Sequence, residues 1–212
     1  MVETVREIPG AVGQLEALVD LPEGTPRRAV VFAHPLPIKG GTMHTKVMFQ
    51  AAKALTRIGC VVLRFNFRGV GRSAGTWDNG RGEMDDYRAA VDFVSARYPG
   101  LELWAAGFSF GSYIAMTAGA DDDRICALIG IAPPVNRYEY ASVKLSMKPK
   151  FIVHGESDEL IPLKAVREFY ARLQDPKELV EIDRANHLFD GQASEVGDAL
   201  EELLTDFSCG KQ

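Results

Sequence analysis

The chain has 212 residues, 46% of them hydrophobic, and a formal net charge of −5 at pH 7. Its length suits one domain with a substantial core, because chains divide into domains only beyond about 250 residues. The mildly acidic charge, without a dense Lys/Arg block, argues against nucleic acid as a partner. No apolar run reaches the roughly 20 residues that span a bilayer, and residues 1–10 lack the apolar stretch of a secretory signal. We therefore expect a single domain over residues 1–212, with no membrane span and a cytoplasmic location.

Short apolar runs rich in β-branched residues alternate along the chain with longer amphipathic segments. This alternation is typical of strands and crossover helices in a mostly parallel sheet with helices on both faces. The first segment, Val2 to Val19, predicts an antiparallel hairpin at the sheet edge, which brings the sheet to seven or eight strands. After the hairpin, the predicted strands are Ala29 to Ala33, Cys60 to Phe65, Leu103 to Ala106, Ile125 to Ile131, Phe151 to Val153 and Leu179 to Ile182. The predicted helices are Lys46 to Arg57, Met84 to Ala96, Ser112 to Ala118, Leu163 to Leu173 and Glu195 to Phe207.

The three cysteines are widely separated, so they predict neither a metal-ligand pair nor a disulfide framework. Cys60 and Cys126 lie in apolar runs and are expected in the core, where cysteine usually behaves as a small hydrophobic residue. Cys209 lies in a polar tail and is expected to be exposed.

Ligands of an open parallel sheet bind at the carboxyl ends of its strands, so we expect the functional residues in the turns that follow the strands. The turn Gly107-Phe108-Ser109-Phe110-Gly111 matches the G-x-S-x-G nucleophile elbow, in which a serine sits on a strained strand-to-helix turn. A predicted strand precedes this turn and a predicted helix follows it, which is the context that an elbow needs. Ser109 is therefore the candidate nucleophile. The amide of Phe110, at the helix N-terminus, is a candidate oxyanion donor.

A serine hydroxyl needs a neighbouring base, and that base needs a partner that fixes its tautomer. After the elbow, this architecture places the acid and then the histidine in chain order. Of the four histidines, His187 is the one that follows the candidate acid, Asp158. Both residues come just after predicted strands. His187 is therefore the candidate base.

More than one carboxylate could be the acid that orients His187. Asp158 is preferred because it lies in the loop before Ile161-Pro162, which opens the next helix. Glu156 follows the strand so closely that its side chain would still point along it, and it is the main alternative. Asp183 and Asp190 also lie in loops that could approach the base.

The second oxyanion donor is expected in the loop after the first parallel strand, which faces the elbow in this architecture. Pro35 has no amide hydrogen, so the first free amide after His34 belongs to Leu36. Leu36 is therefore the second candidate donor. His34 is expected to support the loop by hydrogen bonds, and Gly40-Gly41 is interpreted as a simple turn in preference to an anion cradle.

The turn Gly69-Val70-Gly71 raises a dinucleotide-binding alternative. A pyrophosphate site needs a helix that opens directly on such glycines. Here a long polar loop follows, and a helix is expected only from around Glu83 to Asp86, so we reject the alternative. Arg68 and Arg72 are expected to organise this loop, with contact to an anionic substrate as the other interpretation.

Six segments spread over nearly the whole chain carry a family resemblance. They are Ala29 to His34 with Gly40 to Met43, Leu63 to Ser73, Ala106 to Gly111, Ala132 to Val135, His154 to Asp158, and Asn186-His187. In these segments the chain resembles the small α/β-hydrolases of bacteria, a carboxylesterase-like subgroup of the serine hydrolases without a lid domain. The resemblance implies the α/β-hydrolase fold and a triad of Ser109, Asp158 and His187. It also implies oxyanion amides at Leu36 and Phe110.

The same resemblance bears on access to the site. A lid in this fold is usually inserted after the strand that ends near Ile131, and only Ala132 to Lys150 lies there, enough for a loop or one short helix. We therefore expect an uncapped site that is open to water and suited to short, soluble acyl groups. Relatives often carry histidine at Leu36 and asparagine at Thr45; the amide donor survives the first change, but a polar group is lost.

The expected function is hydrolysis of small carboxylic esters by two-step acyl transfer, without a metal or organic cofactor. A thioester substrate is the nearest alternative, because the same groups cleave it. An alternative of another class is a binding or scaffold protein that keeps the fold without turnover. Epoxide or haloalkane hydrolysis is disfavoured, because those reactions use an aspartate at the place of Ser109. The oligomeric state is left open between monomer and homodimer.

Overall fold

A computed structural model describes residues 2–210 of the chain. Within this range eight strands form one sheet in the order β1-β2-β4-β3-β5-β6-β7-β8. The strands are β1 Val2–Gly10, β2 Gly13–Asp20, β3 Arg28–Ala33, β4 Cys60–Phe65, β5 Glu102–Phe108, β6 Ile125–Ile131, β7 Lys150–Gly155 and β8 Lys177–Ile182. The helices are α1 Lys46–Arg57, α2 Arg81–Arg97, α3 Phe110–Asp121, α4 Ala141–Leu145, α5 Leu163–Ala171 and α6 Ala193–Leu204, with one 3₁₀ turn at Pro37–Lys39.

The central strands are parallel and buried on both faces. All six residues of β4 are buried, as are the last five of β3, which explains why these strands are continuous apolar runs without alternation. β3 lies between β4 and β5 and pairs in parallel with both. The carboxyl ends of β3, β5, β6 and β7 therefore meet at one edge of the sheet, and the loops that follow them face each other.

The hairpin predicted at the sheet edge is confirmed. β1 and β2 are antiparallel, and β2 joins the rest of the sheet by an antiparallel ladder in which Ala17 lies opposite Phe65. The mostly parallel sheet with helices on both faces is confirmed as well. α1 and α6 pack on one face around Val47 and Leu200, whereas α2 to α5 cover the other face, with Ile114 of α3 at its centre.

The loop between β4 and α2 ends earlier than the sequence indicated. α2 begins at Arg81 and not near Glu83 to Asp86, because Glu83 caps the helix from inside its first turn. The Glu83 carboxylate accepts hydrogen bonds from the amides of Gly80, at 2.7 Å, and Asp78, at 3.0 Å. This arrangement satisfies amides that a helix N-terminus would leave without partners.

The segment between β6 and β7 holds one five-residue helix, α4, and no inserted domain. The expectation of a fold without a lid is thus met in the chain itself. No helix among residues 2–210 is both long and apolar enough to cross a bilayer.

The prediction for Cys126 and Cys209 was wrong. Cys126, the second residue of β6, and Cys209, in the C-terminal tail, form a disulfide across 83 positions of sequence. Neither is fully buried or fully exposed. The spacing gave no signal, because the tail returns to the amino ends of the strands only in the folded chain, where the Glu102 carboxylate accepts hydrogen bonds from Ser208 Oγ and the Cys209 amide. Cys60 is buried, as expected.

Candidate active site

Ser109 sits on a strained turn between β5 and α3. Its backbone adopts φ 51° and ψ −121°, a region that residues with a side chain rarely occupy. Its amide donates a hydrogen bond of 2.8 Å to the carbonyl of Ile131, at the end of the neighbouring strand. The turn is thereby fixed to the sheet, and the Ser109 side chain is held half-exposed at the carboxyl edge.

The two glycines of the elbow are required for close backbone approach. A Cβ atom on Gly107 would overlap the carbonyl of Gly111, and one on Gly111 would overlap the carbonyl of Ala33. The glycine pattern of the elbow therefore brings the start of α3 against the end of β3. The loop that carries Leu36 begins at this point.

Ser109, His187 and Asp158 form a continuous hydrogen-bonded chain. His187 Nε2 lies 2.9 Å from Ser109 Oγ, and His187 Nδ1 lies 2.7 Å from Asp158 Oδ2. Because the carboxylate can only accept, it fixes the proton on Nδ1 and leaves Nε2 as the acceptor that faces the serine. The His187 side chain is 6% exposed and the Asp158 side chain is fully buried.

The Asp158 carboxylate stays ionised in spite of its burial. Burial by itself raises the pKa of Asp158, but the hydrogen bonds from His187 and from the amides of Ile161 and Leu160 outweigh it and lower the pKa below its usual value. The Oδ1 atom accepts from the Leu160 amide at 2.9 Å and from the Ile161 amide at 2.8 Å. An ionised carboxylate is what a histidine base needs as its partner.

The other carboxylates considered for this place are occupied elsewhere. Glu156 is exposed and accepts a hydrogen bond from the Arg184 amide. Asp183 pairs with the Arg184 side chain, and Asp190 accepts a hydrogen bond from Asn186. Among the described residues, Asp158 is the carboxylate that contacts the ring of His187.

The amides of Leu36 and Phe110 are the two oxyanion donors predicted from the sequence. Phe110 opens α3, so its amide has no partner within the helix. Within residues 2–210, no hydrogen bond from either amide to a protein group is found. The Leu36 loop is tightly closed, since the amides of Lys39 and Gly41 both donate to the Leu36 carbonyl at 3.1 Å. Gly41 serves this turn, because a Cβ atom there would overlap the Pro35 carbonyl.

His34 holds the Leu36 loop, as the sequence predicted. The Phe67 amide donates to His34 Nε2 at 3.0 Å, so the ring proton resides on Nδ1, which lies 2.6 Å from the Pro35 carbonyl. Burial lowers the pKa of His34 to about 4, although the bond to Pro35 opposes that shift. The imidazole is therefore neutral at neutral pH, and its two bonds join the loops that follow β3 and β4.

Arg68 and Arg72 organise the loop after β4. Arg68 forms a buried two-pronged ion pair with Asp86, which occupies its guanidinium. Arg72 makes an exposed ion pair with Glu16. The predicted organising role is met for both arginines.

Two residues that contact the triad were not predicted from the sequence to do so. His154, fully buried on β7, lies behind Asp158. Glu159 Oε2 accepts a hydrogen bond of 3.2 Å from the His187 amide. The sequence did hold a signal for His154, because this residue and Asp158 share one short segment. A histidine four residues before the acid lies close to it once the strand has ended.

Comparison with known proteins shows the family and the fold of the chain. The model of a hydrolase family, described as serine aminopeptidase, S33, matches residues 24–148, which is more than half of the chain. The chain belongs to this family. An uncharacterised protein of Rickettsia prowazekii is 35% identical to this chain over 180 residues, covering 81% of this chain and 76% of the relative.

Two solved structures resemble this chain over nearly its whole length. One, an α/β serine hydrolase homologue of Coxiella burnetii, has 38% identity and a TM-score of 0.89, covering 96% of this chain and 97% of its own. The other, from Xanthomonas campestris, is described as an α/β serine hydrolase without a lid. It has 37% identity and a TM-score of 0.88, covering 95% of this chain and 92% of its own. These likenesses confirm the α/β-hydrolase fold without a lid.

Proposed function

We propose that the chain is a serine esterase that hydrolyses carboxylic esters of small acyl groups. The observation that carries the proposal is the hydrogen-bonded chain of Ser109, His187 and Asp158, together with the amides of Leu36 and Phe110, which donate to no protein group within residues 2–210. A serine with a base in contact and a nearby pair of donors is the arrangement that acyl transfer requires.

In the first step, His187 Nε2 takes the proton of Ser109 as Oγ attacks the ester carbonyl. The carbonyl oxygen gains negative charge and is stabilised by the amides of Leu36 and Phe110. The C–O bond to the alcohol then breaks, and His187 gives its proton to the leaving oxygen. Asp158 stabilises the positive charge on the imidazole during this step.

In the second step, water attacks the acyl-Ser109 ester and gives its proton to His187. The same two amides stabilise the second oxyanion, and collapse releases the carboxylic acid while the proton returns to Ser109 Oγ. No group outside the chain and the two substrates, ester and water, takes part in this sequence. Because no inserted domain covers the edge of the sheet, water reaches the acyl-enzyme directly.

Steady-state kinetics with matched substrates test the proposal. Phenyl acetate and S-phenyl thioacetate share the acyl group and differ in the leaving atom, and leucine p-nitroanilide covers the amide class that the family description names. We expect kcat/KM to be highest for the ester. A higher value for the thioester would favour the thioesterase alternative, and a higher value for the anilide would favour an aminopeptidase.

Substitutions of the triad complete the test. Ser109→Ala and His187→Ala should each abolish turnover above background, and Asp158→Asn should lower kcat by about 10³- to 10⁴-fold, as expected when the tautomer is no longer fixed. Ser95→Ala on α2 is the matched serine control, and it should keep full activity. Well-folded protein without turnover of any substrate would leave a binding or scaffold role as the better account.

A further inference from the structure

Two aromatic side chains converge on the residue next to the nucleophile. Trp77, in the loop between β4 and α2, has its ring centroid 5.1 Å from that of Phe110. Tyr138, in the loop between β6 and α4, lies 6.0 Å from the same ring. Because β4 and β6 lie on opposite sides of β5 in the sheet, the two loops reach Phe110 from opposite sides. We call Trp77, Phe110 and Tyr138 the aromatic shelf.

The aromatic shelf packs against the protein core on one side and is partly exposed to solvent. Phe110 is 2% exposed and packs in the core cluster under α2 and α3, where Phe67 lies 5.7 Å from it. Tyr113 stacks under Tyr138 with centroids 4.3 Å apart and planes 15° apart. Trp77 and Tyr138 are only half-buried, so each presents free ring surface to solvent.

The chemistry of the triad determines which part of an ester lies there. The leaving oxygen has to face His187, which protonates it. His187 packs against Phe108, whose ring belongs to the core cluster on the opposite face of the sheet, under α1 and α6. The acyl substituent of the attacked carbonyl points away from the leaving oxygen, and thus toward the face that carries the aromatic shelf.

The charged residues next to Trp77 and Tyr138 do not favour an acyl group of either charge. Trp77 is followed by the exposed Asp78 and Arg81, and Tyr138 lies between the exposed Arg137 and Glu139. Each aromatic residue thus has one charge of each sign nearby. A neutral, flat group matches this surface best.

We propose that the aromatic shelf binds the acyl group of the substrate and selects a short acyl group that carries an aromatic ring, such as benzoyl. The inference rests on the proposed esterase function. Aromatic rings that meet offset or edge to face attract each other beyond what their buried area provides, so a planar ring is favoured over a saturated ring of equal size.

The test uses two esters that share a leaving group, p-nitrophenyl benzoate and p-nitrophenyl cyclohexanecarboxylate. Selectivity is the ratio of their kcat/KM values. Trp77→Leu and Tyr138→Leu remove one ring each, Trp77→Phe and Tyr138→Phe restore a ring, and Tyr170→Leu is the control. Tyr170 is a half-buried tyrosine at the other end of the sheet, where its hydroxyl donates to the Lys177 carbonyl.

We expect each leucine variant to lower the selectivity by about 5- to 10-fold. Both phenylalanine variants should recover most of it, and Tyr170→Leu should not change it. An unchanged selectivity in both leucine variants would overturn the inference. So would an equal loss with p-nitrophenyl acetate, because acetyl carries no ring that the shelf could select.

Failure of the proposed function has a different signature, namely that the unaltered chain hydrolyses none of the three esters. The shelf is then tested by binding alone, with neutral 4-nitrobenzamide as a quencher of tryptophan fluorescence. The signal of Trp77 is the difference between the unaltered chain and Trp77→Phe. Saturable quenching of that difference supports the shelf, and its absence overturns it.

Discussion

His154 lies beside Asp158 of the triad, with His154 Nε2 3.6 Å from Asp158 Oδ2. The same nitrogen lies 2.9 Å from the Ile161 carbonyl and donates to it, while the Ile161 amide donates to Asp158 Oδ1. His154 thus holds the backbone carbonyl of Ile161, and Asp158 holds the backbone amide of the same residue. Burial is the main cause that lowers the pKa of His154, so the ring remains neutral and its proton stays on Nε2.

We therefore predict that His154 is a positioning residue for Asp158. In His154→Leu the Ile161 carbonyl loses its donor, the carboxylate loses a fixed neighbour, and kcat should fall by about tenfold with little change in KM. In His154→Gln an amide nitrogen can occupy the place of Nε2, so kcat should recover to within about threefold. Equal kcat losses in the two variants, measured on p-nitrophenyl acetate at matched folded fractions, would contradict this role.

The second prediction concerns the close backbone approach between Gly111 and Ala33. Gly111→Ala places a methyl group against the Ala33 carbonyl and should push the start of α3 away from the Leu36 loop. A displacement of 1 Å at an active site costs about 100-fold, and we expect at least this loss in kcat/KM. Gly210→Ala, where no atom lies within 4 Å of the new methyl group, is the control. Retained activity in Gly111→Ala would show that the two donors do not depend on this contact.

The third prediction concerns acid stability and His34. The pKa of His34 is lowered by burial from 6.5 to about 4. Between these two values the unfolded chain binds a proton that the folded chain does not, so the free energy of unfolding decreases as the pH falls through this window. By pH 4, proton binding to His34 in the unfolded chain lowers the free energy of unfolding by an amount on the order of 3 kcal/mol.

Urea unfolding from pH 7 to pH 4 measures this contribution. His34→Gln keeps an acceptor for the Phe67 amide but does not titrate, so its stability should fall less steeply over the same range. Parallel curves for the two proteins would show that His34 binds its proton equally well in the folded and unfolded chains.

The fourth prediction concerns the bond between Cys126 and Cys209. Alkylation of the denatured, unreduced chain should modify one cysteine, Cys60, and prior reduction should expose all three. Because the bond closes a long loop, Cys209→Ser should lower the free energy of unfolding by about 2–4 kcal/mol. The triad is at the other edge of the sheet, so kcat should not change. Three modified cysteines in the chain isolated without reductant would contradict the disulfide.

Much of the site could be predicted from the sequence because local patterns encode it. The elbow around Ser109 is a strand, a glycine-flanked serine and a helix in direct succession, and chain order alone selected His187. The role of His34 followed from its place at the end of a strand. These features depend on neighbours in the sequence, which is why they were accessible without a structure.

Features that depend on distant neighbours were not accessible. Cys209 meets Cys126 only because the tail passes the amino ends of the strands. Trp77 and Tyr138 both meet Phe110 only because β4 and β6 lie on opposite sides of β5 in the sheet. The disulfide is also at odds with the cytoplasmic location that the sequence suggested, since such bonds persist mainly in oxidising compartments. The start of α2 lies earlier than the sequence predicted, because Glu83 caps the helix from within its own first turn.

The central claim is that Ser109 is an activated nucleophile, and labelling with a fluorophosphonate tests it most directly. Intact mass and peptide mapping should locate one adduct per chain on Ser109, absent in Ser109→Ala and formed far more slowly in His187→Ala and Asp158→Asn. His44→Ala, at an exposed histidine that is not part of the triad, should label at the normal rate. An adduct on another residue, or none in folded protein, would contradict the account.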